Sequence, residues 1–551
     1  MAPPVHLTFL GGLGEIGRNC AVLEIEDSLL LIDCGLMFPN EGMLGVDLVL
    51  PDFTWLIERA DDIAGCVVTH GHEDHVGALS YLLREVSFPL FGTELSLGLA
   101  RGRIEEAGLL GRTDFHTVAD GERWEIGPFD VEFIPAAHSV PQGVATAFRT
   151  PQGTILHTGD FKLDLTPVDG RLTDLSRIGA LADGEGIRLL LADSTNADQP
   201  GHARSERSVG QVLYDLMHEH EGRRIITACF ASHIHRIQQI ADAAIAFGRV
   251  VAPLGRSMKR NITLSRELGL LSIPDSSIID IEQVDSYEPG EVLVLSTGSQ
   301  GEPMAALGRM ANSDHPRIQI GPGDTVMMLS SPVPGNESSV WRVINGLMRL
   351  GATVVHQGTA RVHVSGHASA GELLVAYNVV KPRNVLPVHG EWRHMQANAD
   401  LAMQTGVPKG NVIVAEDGVV VDLHKGRIWV AGAVPAGYVY VDGSSVGEAD
   451  EALLRDRRIL RDEGFIAVIT VVDTSDGKVV AGPEMFARGF ALDDEVFDDI
   501  RPKVLSALES AIASGVNDPQ QLQQVVRRTV GSWVGRKIRR RPMILPTVIE
   551  A

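Results

Sequence analysis

Thr69-His70-Gly71-His72-Glu73-Asp74-His75 carries the densest chemistry in the chain. Three imidazoles and a carboxylate this close together can converge on one small volume only around a cation. Borderline divalent ions such as Zn²⁺ or Mn²⁺ accept that mixture of nitrogen and oxygen. Cys66-Val67-Val68 precedes the cluster and reads as a buried strand, so the ligand types stand at a strand end and in the loop beyond it. The alternative is a surface loop that happens to be rich in His.

Further metal-binding residue types recur at later strand ends. Val131-Glu132-Phe133-Ile134 leads into His138 and Thr154-Ile155-Leu156-His157 into Asp160. Leu189-Leu190-Leu191-Ala192 leads into Asp193, and Val385-Leu386-Pro387-Val388 into His389. A lone residue in such a place is more often a cap or a satisfied turn residue; repetition is what points to one shared site. His363-Val364-Ser365-Gly366-His367 adds two imidazoles around a Ser-Gly turn.

The elements that must position these residues follow from pattern. Short apolar runs and turns alternate over residues 5–35. Gly12-Leu13-Gly14-Glu15-Ile16-Gly17 has dinucleotide-binding spacing, but that fingerprint requires a helix opening at its third glycine. A strand-like segment follows instead, so a glycine-rich strand turn is expected and no such cofactor. Residues 76–85 and 94–107 read as helices. From Ser205, helices at 209–220, 233–247 and 258–268 alternate with strands at 225–230, 250–252 and 292–295, the rhythm of a parallel sheet. Ligand-like strand ends resume beyond about residue 351, so this second domain interrupts the first. The expected organisation is a first domain in two parts (1–204 and 352–425), an insertion at 205–351, a linker at 426–450 and a small α+β domain at 451–551. A strand pair at 412–415 and 419–423 would close the first domain. In the last domain a hairpin at 465–472 and 478–480 precedes helices at 494–513 and 519–534 and a strand at 543–549.

A chain of 551 residues holds two or three cores. Its net charge of −23 argues against a non-specific nucleic-acid coat, but not against a nuclease whose metals and local basic groups hold a few phosphates. Arg536-Lys537-Ile538-Arg539-Arg540-Arg541 is the clearest basic run, read either as a solvated helix end or as a nucleic-acid contact. Cys20, Cys34, Cys66 and Cys229 form no CxxC pair, which fits reduced thiols in a cytoplasm. The start of the chain reads as a first strand rather than a secretion signal, and no apolar run reaches membrane-spanning length.

The HxHxDH cluster with His138, Asp160, His389 and Asp33 resembles the metallo-β-lactamase superfamily. The insertion, with Ala192-Asp193-Ser194-Thr195, Ser365-Gly366-His367 and Val388-His389-Gly390-Glu391, resembles its β-CASP nuclease branch and, within it, the bacterial ribonuclease J enzymes. The resemblance implies an α/β fold: an αββα sandwich, an inserted parallel-sheet domain and a small C-terminal α+β domain. It also implies His70, His72 and His138 on one metal, Asp74, His75 and His389 on a second, Asp160 bridging, and Asp33 orienting a ligand imidazole from behind. Asp74 counts among the catalytic residues as well.

His367 hydrogen-bonded to Asp193 would serve as general acid, against the alternative of a purely structural pair. His363, Val364, Ser365, Gly366 and His367, with Ser331, offer donors in a turn for a phosphate. In ribonuclease J enzymes this region holds the RNA 5′ phosphate, which implies 5′-to-3′ exonuclease action on 5′-monophosphate RNA, endonuclease action as a second mode, and work in RNA maturation and decay. Ser232 and His233 at a helix start are a second phosphate contact, unless Ser232 is simply a helix cap. A structural calcium near Asp47 and Asp442 and a homodimer or homotetramer through the C-terminal domain rest on the resemblance alone. The competing expectation is a small-molecule ester or thioester hydrolase of the same superfamily, which leaves the insertion and the Asp193/His367 pair without a task.

Overall fold

The computed structural model describes residues 2–302, 304–333, 335–490 and 494–551. The chain divides into two compact units: residues up to Asn40 with Leu48–Val439, and Glu41–Asp47 with Tyr440–Ala551.

Two sheets face each other in the first unit. One has eight strands in the order Arg427–Ala433, Val419–His424, Val5–Gly11, Cys20–Ile25, Ser28–Ile32, Ile63–Val67, Leu90–Gly92 and Phe115–Thr117. The other has six, in the order Asn384–Val388, Ile187–Asp193, Gly153–His157, Val144–Thr150, Phe129–Pro135 and Arg123–Ile126. Alternate side chains of both sheets, including Leu7, Phe9, Val67, Phe133, Phe148 and Leu189, form one buried core between them. Helices Leu175–Gly184, Ala370–Val380 and Trp392–Gln404 cover the outer face of the six-stranded sheet through Ile178, Tyr377 and Leu401.

Ile187–Asp193 precedes the insertion and Asn384–Val388 follows it, yet the two pair in parallel, with Asp193 opposite Val388. The inserted segment forms its own sheet of five parallel strands, ordered Val250–Pro253, Val292–Ser296, Arg224–Ala228, Asp324–Met328 and Thr353–Val355. Its central strands are buried on both faces against separate apolar clusters, which is why they read as unbroken apolar runs.

The strand expected at 412–415 does not form. Val412 makes a single bridge to Val385, and Ile413, Val414 and Ala415 pack into the inter-sheet core instead of pairing. Val419–His424 finds its partners in Val5–Gly11 and Arg427–Ala433. The stretch expected as a linker therefore opens with an edge strand of the eight-stranded sheet. Gly17 leads into strand Cys20–Ile25 and not into a helix, so the glycines serve a strand turn. The helix expected at 76–85 is two shorter ones, Glu73–Val76 and Leu79–Glu85.

In the second unit, strands Lys478–Arg488, Phe465–Asp473 and Met543–Glu550 form a sheet in that order. Helices Arg501–Ala513 and Pro519–Lys537 cover one face, burying Ile466, Val468 and Val548 against Leu508, Val526 and Trp533. The expected helix at 494–513 is a 3₁₀ turn, Asp494–Phe497, then a helix that opens with Pro502 in its first turn. Among the described residues no helix is long and apolar enough to cross a membrane.

One close approach ties the fold to the residues at the strand ends. After Ser28–Ile32, Cys34 N–H and Leu36 N–H donate to the carbonyls of His75 (2.8 Å) and Glu73 (3.1 Å). A Cβ on Gly35, between them, would lie 1.6 Å from the Asp74 carbonyl oxygen. Gly35→Ala must push the two segments apart, at about 1–3 kcal/mol. A lowered urea midpoint together with reduced metal uptake is the expected result.

Candidate metal centre

Strand ends supply the candidate ligands. His70 and His72 follow Ile63–Val67, and His75 lies in helix Glu73–Val76. His138 follows Phe129–Pro135, Asp160 follows Gly153–His157, and His389 follows Asn384–Val388. His70 Nε2 and His72 Nδ1 lie 3.0 Å apart, and His72 Nδ1 and His138 Nε2 3.2 Å apart. The far nitrogen of each ring is already engaged. His138 Nδ1 is 2.8 Å from the Gly366 carbonyl, which can only accept, so Nδ1 carries the proton and Nε2 a bare lone pair. Thr69 Oγ1 donates to Asp33 Oδ2 (2.8 Å) and so accepts from His70 Nδ1 (3.1 Å). Ser139 Oγ sits 3.3 Å from His72 Nε2. The bare Nε2 lone pairs of His70 and His138 and the Nδ1 of His72 thus crowd one point, an arrangement that a cation between them would satisfy. Asp160 Oδ2 adds negative charge 3.5 Å from His70 Nε2 and 3.7 Å from His138 Nε2. This donor set fits a divalent metal.

Asp74, His75 and His389 make a second cluster on the other side of Asp160. His75 Nε2 lies 3.3 Å from Asp160 Oδ2 and 3.7 Å from Asp74 Oδ2. His389 Nε2 lies 3.3 Å from Asp74 Oδ2, and its Nδ1 3.2 Å from Asp160 Oδ1. Asp33 sits behind both clusters. Its carboxylate takes His75 Nδ1 at 2.7 Å and the Thr69 N–H at 2.7 Å. Asp33 and His389 both hold left-handed backbone, with φ of 61° and 53°, a conformation costing about 1–3 kcal/mol where glycine is absent. His389 is fixed there by its own N–H donating to the Gly12 carbonyl (2.9 Å) and by Ser194 N–H donating to its carbonyl (3.3 Å).

Charge divides the imidazoles. Burial lowers His70 and His138 well below the usual range and His72 to about 4, which keeps them in the neutral, ligand form. Burial acts the same way on His75, but the carboxylates of Asp160, Asp74 and Asp33 outweigh it and push this ring up to about 10. His389 is raised likewise, chiefly by Asp160 against burial. An enclosed surplus of carboxylate charge on that side favours cations.

Four domain families match successive parts of the chain. Residues 13–199 match the metallo-beta-lactamase superfamily, 222–347 the beta-CASP domain of ribonuclease J, and 352–414 the Zn-dependent metallo-hydrolase RNA specificity domain. Residues 452–551 match the ribonuclease J C-terminal domain. The ribonuclease J of Mycolicibacterium smegmatis is 47% identical, with 100% of this chain and 99% of that protein aligned. The chain belongs to the ribonuclease J family. The ribonuclease J of Thermus thermophilus is 42% identical across 99% of this chain and 95% of its own length. A solved structure, a protein of unknown function from Enterococcus faecalis V583, shares the fold with a TM-score of 0.54 at 15% identity, over 78% of this chain and 100% of that one. Ribonuclease J membership makes the chain a metal-dependent ribonuclease with a metallo-β-lactamase core.

In this ribonuclease J family member, the remaining expected residues fall into one neighbourhood and one outlier. His367 Nδ1 meets Asp193 Oδ2 at 2.8 Å, while Asp193 Oδ1 accepts from Thr195 N–H at 3.0 Å. Burial lowers His367, but Asp193 and Asp160 raise it by more, and about a fifth of its side chain reaches solvent. On the insertion, the buried Arg236 guanidinium pairs with Glu206 at 2.5 and 2.8 Å and donates to the carbonyls of Leu329 (2.6 Å) and Val362 (2.9 Å). Those residues stand just ahead of Ser330-Ser331 and His363, so one side chain draws both segments to helix Ile234–Ala246. That helix is capped by the imidazole of His233, whose Nδ1 accepts from Arg236 N–H, and not by Ser232. Among the described residues, His233 Nε2, 3.7 Å from Glu206 Oε2, and His363 Nδ1 are buried without a hydrogen-bond partner. Asp47 and Asp442 flank one turn, where Asp47 accepts from Gly443 N–H at 2.8 Å. The Arg457 guanidinium already neutralises Asp442 at 2.5 Å, so these residues do not fit a calcium site.

Several supporting residues have no role assigned by the sequence, even where they lie inside its motifs. Thr69, Ser139, Thr195 (Oγ1 3.0 Å from His389 Nδ1) and Asn196 (donating to Ser365 Oγ at 2.7 Å) are hydroxyls and amides of the kind found in any turn. Asn398, on helix Trp392–Gln404, likewise donates to the Asp193 carbonyl at 3.0 Å. Asp33→Asn keeps the shape but removes the charge that orients His75 and Thr69. It should weaken Zn²⁺ binding about 10–100-fold, measured by competition with a chelating dye.

Proposed function

We propose that the chain hydrolyses RNA phosphodiester bonds with two divalent ions, Zn²⁺ or Mn²⁺, working 5′ to 3′ from a 5′-monophosphate, with internal cleavage as a second mode. The observation that carries this reading is Asp160, whose carboxylate lies between two separate imidazole clusters and is within 3.7 Å of four of their rings. His70, His72 and His138 would hold one ion, Asp74, His75 and His389 the other, and Asp160 both. Ions bound there would polarise the attacked phosphate and lower the pKa of water. Around them the chain's own groups do the positioning. Asp33 and Thr69 hold His75 and His70 in their ligand orientations. Asp193 keeps His367 protonated through Nδ1, leaving Nε2–H to give a proton to the leaving oxygen.

His363, Val364, Ser365 and Gly366, with Ser331, Ser232 and His233, would grip the terminal phosphate of the RNA. The buried Nδ1 of His363, without a hydrogen-bond partner among the described residues, supports this, as does the Arg236 guanidinium that fixes both segments. Work in RNA maturation and decay in the cytoplasm, and a homodimer or homotetramer through the C-terminal unit, belong to the same proposal. The open sheet face of that unit supports the assembly, since it exposes Ile469, Phe486, Leu545 and Ile549.

Digestion of RNA labelled at a 5′ monophosphate, with Mn²⁺, tests the reading. Early release of labelled mononucleotide is expected, abolished in His72→Ala and slow on the 5′ triphosphate. Internal fragments alone would remove the phosphate grip, and no cleavage with any divalent metal would leave a small-molecule hydrolase. His367→Ala should lower kcat by about 10²–10⁴-fold with the bound metal unchanged; unchanged kcat would make the pair structural.

A further inference from the structure

The three imidazoles of the His70 cluster are oriented from different places. Thr69 holds His70 from the adjacent position, and Ser139, next to His138 in the chain, holds His72. His138 alone is held by a backbone group from beyond the insertion, the Gly366 carbonyl at 2.8 Å. Gly366 has no left-handed backbone that would demand glycine. What demands it is the approach: a Cβ there would lie 2.7 Å from His138 Cε1, 2.8 Å from His138 Nδ1 and 3.1 Å from Ser139 Cβ. A side chain at this position would therefore strike the ring of one candidate ligand and the residue that orients another.

The Gly366 peptide is itself fixed. Ser365 Oγ accepts from Asn196 Nδ2 (2.7 Å) and from His367 N–H (3.2 Å), and Asn196 also donates to the His367 carbonyl (3.2 Å). The loop that presents His367 to Asp193 thus also sets the His138 ring.

We infer that Gly366 is a positioning residue of the metal centre: its carbonyl selects the His138 tautomer with Nε2 bare, and its lack of a side chain seats that ring against Ser139. The inference rests on reading His70, His72 and His138 as ligands of one ion. It makes the loop at 363–367 a single part serving both metal and proton transfer, so that displacing the loop loosens one ion even with no RNA present.

The test is a Co²⁺ titration of the full-length protein stripped of metal, followed by visible absorption, for the wild type, Gly366→Ala and His72→Ala. Gly366→Ala should weaken one binding step about 10–100-fold and change its spectrum, while the other step stays near its wild-type value. His72→Ala should lose the same step. Two wild-type steps in His72→Ala would overturn the ligand reading itself. Loss of the step in His72→Ala but wild-type titration in Gly366→Ala would overturn the role of Gly366 alone. If metal-free Gly366→Ala loses the near-ultraviolet circular dichroism of the wild type, the decision passes to the Zn²⁺-loaded wild type with ¹⁵N-labelled histidine. There the His138 signal, identified by its absence in His138→Asn, should show a protonated Nδ1; an unprotonated Nδ1 would overturn the inference.

Discussion

The structure depends on one convergence of charge. Asp33, Asp74, Asp160 and Asp193 are drawn into a volume that also holds His70, His72, His75, His138, His367 and His389. Carboxylates this close cost far more to bury than they return unless positive charge is interleaved among them. Each feature of the fold around them serves that interleaving. Strands deliver one donor apiece at their ends, short loops keep the donors from retreating to solvent, and hydroxyls of Thr69, Thr195 and Ser139 set the direction of the rings. Strained backbone at Asp33 and His389 fits the same logic, because those two positions are held by contacts on every side.

The insertion contributes by its neighbours rather than by ligands. One face of its five-stranded sheet packs with Leu95, Leu99 and Val140 of the first domain, and the buried Arg236 grips the carbonyls ahead of Ser330 and His363. A buried guanidinium with a bidentate carboxylate partner is rigid and satisfied, so it can fix the spacing of two loops more reliably than an apolar contact could. The loop beyond the insertion then returns to the first domain through Gly366, His367 and Asn196. The candidate phosphate donors and the candidate metal ligands are in this way parts of one framework.

The convergence of these side chains was largely legible in the sequence, because clustered imidazoles and carboxylates are rare. Three imidazoles within a few positions declare themselves, and so do His138, Asp160 and His389 once strand ends are noticed. The alternation of strands and helices across the insertion follows from parallel strands buried on both faces. The rest was hidden for physical reasons. An apolar stretch such as Ile413-Val414-Ala415 looks the same whether it pairs or only packs. Arg427–Ala433 looks like a linker because an edge strand needs only one partner. Thr69, Asn196 and Asn398 are ordinary turn and helix residues until their partners are in place. Asp442 could not be judged until Arg457 stood beside it.

The parallel pairing of Ile187–Asp193 with Asn384–Val388 also bears on how the molecule is made. Thr195 and His389 touch across 194 residues of sequence, with a whole domain between them. At ordinary ribosome speeds that interval lasts roughly 10–40 s, during which the first half of the sandwich is out of the exit tunnel with a strand edge uncovered. Such an edge is a template for pairing with another chain. Folding of the insertion, one face of which closes against Leu95, Leu99 and Val140 of the part already made, would shorten the gap that the growing polypeptide has to close before the proper neighbour of that edge emerges.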